Sequence, residues 1–467
     1  MTVNSSFMAD AVLSPQADTL YYLARFEGDY DLWKHEIKAG KTEIVMKGVG
    51  AGELHADKNF KNIFVASNGT IRKIDIASGQ PKNIEFEARF NYKPYKEREY
   101  MFNHVWRQIK DKFYVENLHD VDWDYYKKSY ERFLPHINNR YDFSNMLSEM
   151  LGELNASHTG ARFFASGASM QTATLGAFFD NDYDGDGLRV AEVLKKGPLA
   201  VRNTGVTKGT IIEKIDGEPI IKGKDYNYML DGKAGKRVRL TILDPGKKAS
   251  RDIIVRPITN GEQNELLYKR WVERNRKMVD SLSNGRIAYV HVKAMNSESF
   301  RTVFSELLND ENRNKDAVIV DARHNGGGWL HDDLRTLLSG KQYQSFVPQG
   351  RKIGIDPWNK WTKPSCVLIC EDDYSNGHGF PLVYKTLGIG KLIGAPVAGT
   401  MTAVWWETLI DKQLVYGIPQ VGCVDMNGEY KENQQLNPDI LIYNTTEDYL
   451  TGRDRQIEEA VRMLLKK

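Results

Sequence analysis

The sequence predicts a multi-domain α+β protein, with a strand-rich start, a helical stretch, a small mixed domain and a C-terminal α/β domain built on a mainly parallel sheet. Three observations carry this expectation. At 467 residues the chain is too long for one hydrophobic core. The apolar pattern changes from strand-like to helix-like near residue 91. After residue 259, short apolar runs alternate with helical segments, as they do where a parallel sheet is wound with crossover helices.

Composition narrows the function classes. The chain is 41% hydrophobic and 27% charged, with a formal net charge of +2. That balance offers no electrostatic reason to expect nucleic acid or acidic lipid as a partner. No run of about 18 apolar residues exists, so no membrane span is expected. The start, MTVNSSFMADAV, lacks a basic region followed by a long apolar stretch, so no signal peptide is visible. Cys366, Cys370 and Cys423 are too few and too oddly spaced for a disulfide framework. Cys366 and Cys370 close an apolar run and read as buried small hydrophobes, with no metal or redox role expected.

Residues 1–90 are rich in strand signals and align with themselves. Leu32, Glu36, Ile37 and Gly40 stand against Ile71, Asp75, Ile76 and Gly79, an offset of 39. A period near 40 with about four short strands per unit is how a β-propeller blade reads, two unrelated hairpins being the alternative. A propeller closes with roughly 4–8 blades, and only about two are present. The expectation is therefore a propeller remnant at the head of the C-terminal part of a longer protein, whose native N-terminus is missing. Its compartment, cytoplasmic or periplasmic, is not readable.

Residues 91–168 are expected to be helical. Phe102, Val105, Trp106, Ile109 and Phe113 fall on one helical face, and Met146, Leu147, Met150, Leu151 and Leu154 repeat the pattern before Gly160. Both stripes read as core. Residues 169–258 open with LGAFFD and continue through KGPLAVRNTGVTKGTIIEKIDGEPI. There Gly197, Pro198 and Ala200 start a short helix, Gly205, Val206 and Gly209 make the turn before a strand, and Asp216-Gly217 suits a hairpin turn. This stretch resembles the PDZ domains of bacterial processing proteases, a resemblance that leaves two roles open, capture of peptide ends or simply gating and bracing a site. Asp180, Asp182, Asp184 and Gly185 match half of a calcium loop. The twelfth position of that loop, where a bidentate Glu belongs, is Ala191, so a solvated acidic turn is expected.

In residues 259–467, IAYVHV, AVIVDAR, CVLIC and the run Leu392 to Ala395 read as buried strands, with helices near 298–308, 330–338 and 376–388. The second strand runs into Asn325-Gly326-Gly327-Gly328, whose bare N–H groups could stabilise an oxyanion or simply form a turn. CVLIC ends in EDDYSNGHGFP, placing Ser375 at a strand-to-helix turn, in the positive end of the helix dipole. Serine is also a common helix cap, and that reading stays open. A serine hydroxyl needs an adjacent base, and histidine titrates near neutrality. His158, after the helix 144–155, is one candidate among the chain's 10 histidines.

Taken together, these segments resemble the tricorn protease family, relatives of the tail-specific (C-terminal processing) proteases. The likeness spans nearly the whole chain in the order propeller, helical domain, PDZ and crotonase-like α/β domain. The family's Gly-Glu-Leu-x-x-Ser/Gly-His element stands as Gly152-Glu153-Leu154-Asn155-Ala156-Ser157-His158. Its Ser-Asp-Gly-Asp element stands as Ser375-Asn376-Gly377-His378, and its late Glu-Asn-x-Gly-x-x-Pro-Asp element runs from Glu432 to Asp439. The resemblance implies a serine peptidase with no metal or organic cofactor. In it Ser375 attacks, His158 is the base, Glu432 acts through Ser157 to orient the histidine, and the N–H groups of Asn376 and Gly327 form the oxyanion hole. It also implies a peptide or unfolded-protein substrate and assembly into a homo-oligomer.

Three positions depart from the family pattern: Asn376 and His378 replace aspartates, and Gln435 replaces a glycine. The Gly-x-Lys-Thr element of tail-specific proteases stands here as Gly394-Ala395-Pro396-Val397, which supplies no lysine base. Asp356 and Trp405-Trp406-Glu407 could line a pocket or merely pack. Two further readings of the same residues are a non-catalytic propeller and PDZ scaffold, and another acyl hydrolase on the same fold.

Overall fold

The strand-rich start folds into two antiparallel meanders in a computed structural model that describes residues 6–26, 28–87, 89, 91–165 and 170–466. The first five residues of the N-terminal stretch read above lie outside the described residues. The first meander is β1 (Phe7–Leu13), β2 (Thr19–Arg25), β3 (Asp31–Glu36) and β4 (Lys41–Met46). The second is β5 (Gly52–Ala56), β6 (Asn62–Ser67), β7 (Thr70–Asp75) and β8 (Pro81–Ile84). Leu32 and Glu36 lie in β3, and Ile71 and Asp75 in β7, the third strand of each sheet, while Ile37, Gly40, Ile76 and Gly79 fall just past the ends of those strands. Alternation along β2 and β6 turns Tyr21, Leu23, Ile63 and Val65 into one core shared by both sheets. Residues 1–93 form one compact unit and 94–467 another, each described by itself.

In the second unit, the helices Pro94–Lys112, Trp123–Glu131 and Arg140–Gly152 bury the two predicted stripes. Phe102, Val105, Ile109, Leu147, Met150 and Leu151 are fully buried, while Trp106 is only partly so. Their core is completed from far along the chain by Leu409, Leu414, Tyr416 and Ile418. These last residues belong to or flank a three-stranded antiparallel sheet of Thr402–Thr408, Leu414–Gly422 and Ala161–Phe163. The helical segment thus shares its core with the C-terminal part of the chain, and this sharing carries residues 157–158 to the α/β domain.

Residues 177–255 form a six-stranded antiparallel sheet. The Asp216-Gly217 hairpin joins Ile211–Ile215 to Glu218–Pro219. In the acidic turn before it, Arg189 pairs with Asp180 at 2.6 Å and Lys222 with Asp184 at 2.5 Å.

The C-terminal domain carries a five-stranded parallel sheet in the order Ile287–His291, Ala317–Asp321, Ser365–Ile369, Lys391–Gly394, Ile440–Leu441. The first three strands are buried at every position, which explains their unbroken apolar sequence. Ala288, Val290, Val318 and Val320 face the helices Ser297–Leu307, His331–Leu338 and Asn376–Thr386. Ile287, Tyr289 and Ile319 face the helices Asn260–Ser283 and Arg455–Leu465 on the other side. No described helix is long and apolar enough to cross a membrane.

Candidate active site

The carboxyl ends of the parallel strands Ala317–Asp321 and Ser365–Ile369 lead into two loops that touch. Tyr374 N–H donates to Asn325 O at 2.9 Å, and the buried Asp373 carboxyl accepts from Asn325 N–H at 3.2 Å and Cys370 N–H at 3.0 Å. The first loop is braced at its root, where Arg323 bonds Asp321 and reaches Asp454 at 2.8 Å. Open crevices at the carboxyl ends of such strands are where α/β folds place their sites.

Ser375 stands at the sharp turn into the helix Asn376–Thr386 with φ 57° and ψ −123°, a conformation that costs a non-glycine residue about 1–3 kcal/mol. Its side chain makes no capping hydrogen bond. The turn is held through the backbone instead, Ser375 N–H donating to Thr400 Oγ1 at 2.8 Å. The hydroxyl is therefore uncommitted, held on a strained turn and partly exposed.

His158 arrives from the helical segment, with φ 62°. Its N–H donates to Tyr374 Oη at 2.7 Å, and the two rings lie 4.8 Å apart. Its carbonyl oxygen lies so close to Gly417 that a Cβ there would meet it at 2.2 Å, so only glycine allows the strand Leu414–Gly422 to pass. The imidazole Nδ1 sits 2.8 Å from Ser157 Oγ and 3.0 Å from Thr402 Oγ1. Ser157 Oγ donates to Glu432 Oε2 at 3.0 Å, and Ser157 N–H donates to the other oxygen of the same carboxylate. A carboxylate only accepts, so the Ser157 hydroxyl proton points at Glu432, and the serine lone pairs are left to receive Nδ1–H. That order leaves Nε2 as the unprotonated, basic nitrogen. Burial pushes the His158 imidazole down to about 4, so it is neutral at physiological pH.

Ser375, Asn376 and His158 line one cavity of about 460 Å3, together with Gly326, Gly328, Trp329, Tyr374, Thr402, Arg162 and Trp406. Among the described residues no hydrogen bond joins Ser375 Oγ to His158, a common state of a site without substrate. Among the described residues Arg162 is the one Lys or Arg lining the cavity, its guanidinium 4.3 Å above the Trp406 ring. Trp406 therefore lines the cavity, while Asp356 lies on a separate two-stranded ribbon with Gln344–Phe346 and is not among the lining residues.

The glycine loop assigns its members different tasks. Gly327 N–H, one of the two expected oxyanion donors, donates to Asn325 Oδ1 at 2.9 Å and is taken. A Cβ on Gly327 would meet Ser375 Cβ at 2.6 Å, so its contribution is to let the serine turn approach. Gly328 bridges Met295 through its neighbours, Met295 N–H bonding Gly327 O and Trp329 N–H bonding Met295 O, which turns its own N–H to the opposite side. Neither Gly328 N–H nor Asn376 N–H is used in a described hydrogen bond. Asn376 Oδ1 accepts from Leu330 and His331 N–H at 2.8 and 3.0 Å, at the start of the helix His331–Leu338, and its Nδ2 lies 2.8 Å from His331 Nδ1. The buried His378 accepts from Thr400 N–H at 3.2 Å, steadying the threonine that holds Ser375.

Thr402 and Thr400 escaped the sequence reading. A threonine in or beside a strand is the expected β-former, and nothing local distinguishes one that faces a histidine 244 positions away.

Comparison with known proteins follows the same layout. Residues 94–152 match the tricorn protease C1 domain, 175–260 the tricorn protease PDZ domain and 286–442 peptidase family S41. The tricorn protease of Thermoplasma acidophilum is 26% identical over 449 residues, covering 93% of this chain and 41% of its own. A tricorn protease homolog of Saccharolobus solfataricus is also 26% identical, covering 94% of this chain and 42% of its own. A putative tricorn-like protease C-terminal subunit of Sulfurisphaera tokodaii is 25% identical over 91% of this chain and 52% of its own. The crystal structure of the tricorn protease superposes with a TM-score of 0.83 at 24% identity, covering 96% of this chain and 46% of that one. The chain thus spans about half the length of these relatives or less.

Proposed function

We propose that this chain, which carries tricorn-type C1 and PDZ domains and an S41 peptidase domain, hydrolyses peptide bonds through an acyl-enzyme on Ser375. The single observation that carries the reading is the uncommitted Ser375 hydroxyl on a strained turn, in the same cavity as a neutral imidazole whose Nδ1 is already occupied. His158 Nε2 takes the serine proton as Oγ attacks the carbonyl carbon, then delivers it to the leaving amine. Water reverses the sequence to release the acid. Glu432, acting through Ser157, positions the imidazole and favours its protonated form in the transition state, with Thr402 as a second acceptor for Nδ1–H. Gly328 and Asn376 N–H supply the oxyanion hole, each donor being worth roughly 3 kcal/mol to the transition state. Gly328 replaces Gly327 in that role because the Gly327 N–H is already bonded.

A fluorophosphonate probe tests the reading directly. It is expected to label the protein once, at Ser375, as read by peptide mapping, and labelling should fall at least a hundredfold in His158→Ala. Labelling elsewhere, or unchanged labelling in that variant, would leave the scaffold reading standing.

The pH profile offers an independent check. His158 acts as a base only when neutral, and burial holds its folded value near 4. The acid limb of kcat/KM is therefore expected near pH 4 instead of at the ordinary imidazole value of about 6.5. Burial also pushes His378 down to about 4. Between about 6.5 and 4 the unfolded chain binds protons that the folded chain refuses, so stability falls as pH drops through that window. Tm measured at each pH separates unfolding from loss of the base, and a kinetic limb near 6.5 in a fully folded sample would refute the assignment.

A further inference from the structure

The two loops that meet at Ser375 also bring together a histidine, a cysteine and a carboxylate that the peptidase chemistry does not use. Cys370 is buried at the end of the strand Ser365–Ile369, where the sequence reading made it a small hydrophobe. In the structure its Sγ lies 2.8 Å from Asp372 Oδ1 and 3.8 Å from His324 Nδ1. His324 Nδ1 is 3.0 Å from both Asp372 oxygens. All three ligand atoms fall within 4.8 Å of one another.

We propose that His324, Cys370 and Asp372 bind a zinc ion. Zinc bonded to sulfur at about 2.3 Å and to nitrogen and oxygen at about 2.0–2.2 Å in a tetrahedron keeps its ligand atoms about 3.3–3.6 Å apart. The spacings here, 2.8, 3.0 and 3.8 Å, are those of one tetrahedral face to within about an ångström. The chemistry of the set agrees: one thiol, one imidazole and one carboxylate suit a borderline cation better than calcium or magnesium, which take oxygen alone. His324 and Asp372 are 51% and 66% exposed, leaving an entry path and a fourth position for water. His324 N–H points at Sγ from 3.1 Å, which fixes the two loops against each other at the ligand positions, and its backbone sits at φ 64°. Binding would replace the Sγ–H···Oδ1 and imidazole–carboxylate hydrogen bonds with three metal–ligand bonds, the thiol proton leaving to solvent and the imidazole proton moving from Nδ1 to Nε2 by exchange with solvent. Asp373, immediately behind, holds both loops by accepting Asn325 and Cys370 N–H, so the ligands start from a braced frame.

The placement gives the ion a consequence. His324 immediately precedes the Asn325–Gly328 loop, and Cys370 and Asp372 precede Ser375, so the cation ties the nucleophile turn to the glycine loop. The site does not depend on the peptidase reading.

Cobalt(II) added to the metal-stripped full chain is the test. The expected result is one cobalt per chain, a near-ultraviolet thiolate charge-transfer band, displacement by zinc, and a Tm that rises with the logarithm of free zinc. Cys370→Ser should abolish the band, and His324→Ala, at an exposed position with little risk to folding, should weaken affinity at least tenfold. His158→Ala and Cys423→Ser should leave both unchanged, because their side chains belong to the peptidase cavity. Absence of the band in the unaltered protein overturns the proposal, as does a band that survives His324→Ala at full affinity or disappears with Cys423.

Discussion

Replacing Ser375 with alanine is expected to lower kcat/KM toward short peptides by at least about a thousandfold and to leave Tm within about 2 °C. The two halves of this result have separate causes. Activity falls because the attacking oxygen is gone, and only the oxyanion donors and binding remain. Stability hardly changes because among the described residues that oxygen caps no helix N–H, and alanine keeps the same strained backbone. Ser375→Gly supplies a contrast, since glycine adopts φ 57° freely. It should be equally inactive yet more stable than Ser375→Ala by about 1 kcal/mol, read from urea unfolding. A serine that only capped the helix would show the opposite pattern, activity retained and stability lost. Turnover persisting in a purified Ser375→Ala sample would end the acyl-enzyme reading.

The second large effect belongs to the pair behind the base. A neutral imidazole serves as acceptor at Nε2 only while its proton stays on Nδ1, and two hydroxyls, Ser157 and Thr402, are placed to hold it there. Ser157→Ala alone leaves Thr402 Oγ1 at 3.0 Å, and Thr402→Val alone leaves Ser157 Oγ at 2.8 Å. Each single change is expected to reduce kcat about tenfold with KM nearly constant. The double variant frees the ring to take the wrong tautomer and should reduce kcat by about 10³–10⁴, well beyond the product of the singles. Losses that simply multiply would show that the two hydroxyls act independently and would exclude shared custody of Nδ1.

The parts of this molecule legible in its sequence are those whose pattern repeats locally. Buried parallel strands are apolar at every position, so Ala317–Asp321 and Ser365–Ile369 stood out as unbroken runs. The helix Arg140–Gly152 showed its stripe because one face must leave water. Ser375 was findable through the family element Ser375-Asn376-Gly377-His378, because a serine between a buried strand and a helix reads equally as a cap. Gly327 illustrates the limit. Three consecutive glycines signal a close approach, but which of their N–H groups remains free depends on the side chain of Asn325, a contact no spacing rule encodes. Cys370 illustrates another, since its apolar neighbours in sequence conceal the histidine and carboxylate that flank its sulfur in space.

By itself the sequence determined which segments are strand or helix, where two loops break off at strand ends, and which residue types stand ready there for acyl chemistry. These follow from local periodicity and from the conformational demands of individual residues. Tertiary structure alone decided that Thr402 joins the chain of hydrogen bonds from Glu432 through Ser157 to His158 that the resemblance implied, and that Ser375 opens into the same cavity. The physical reason is reach: a hydrogen bond is made or lost within a few tenths of an ångström. Between Ser157 and Glu432, 275 positions apart, such a distance is set by how the helical core closes over the strand Leu414–Gly422.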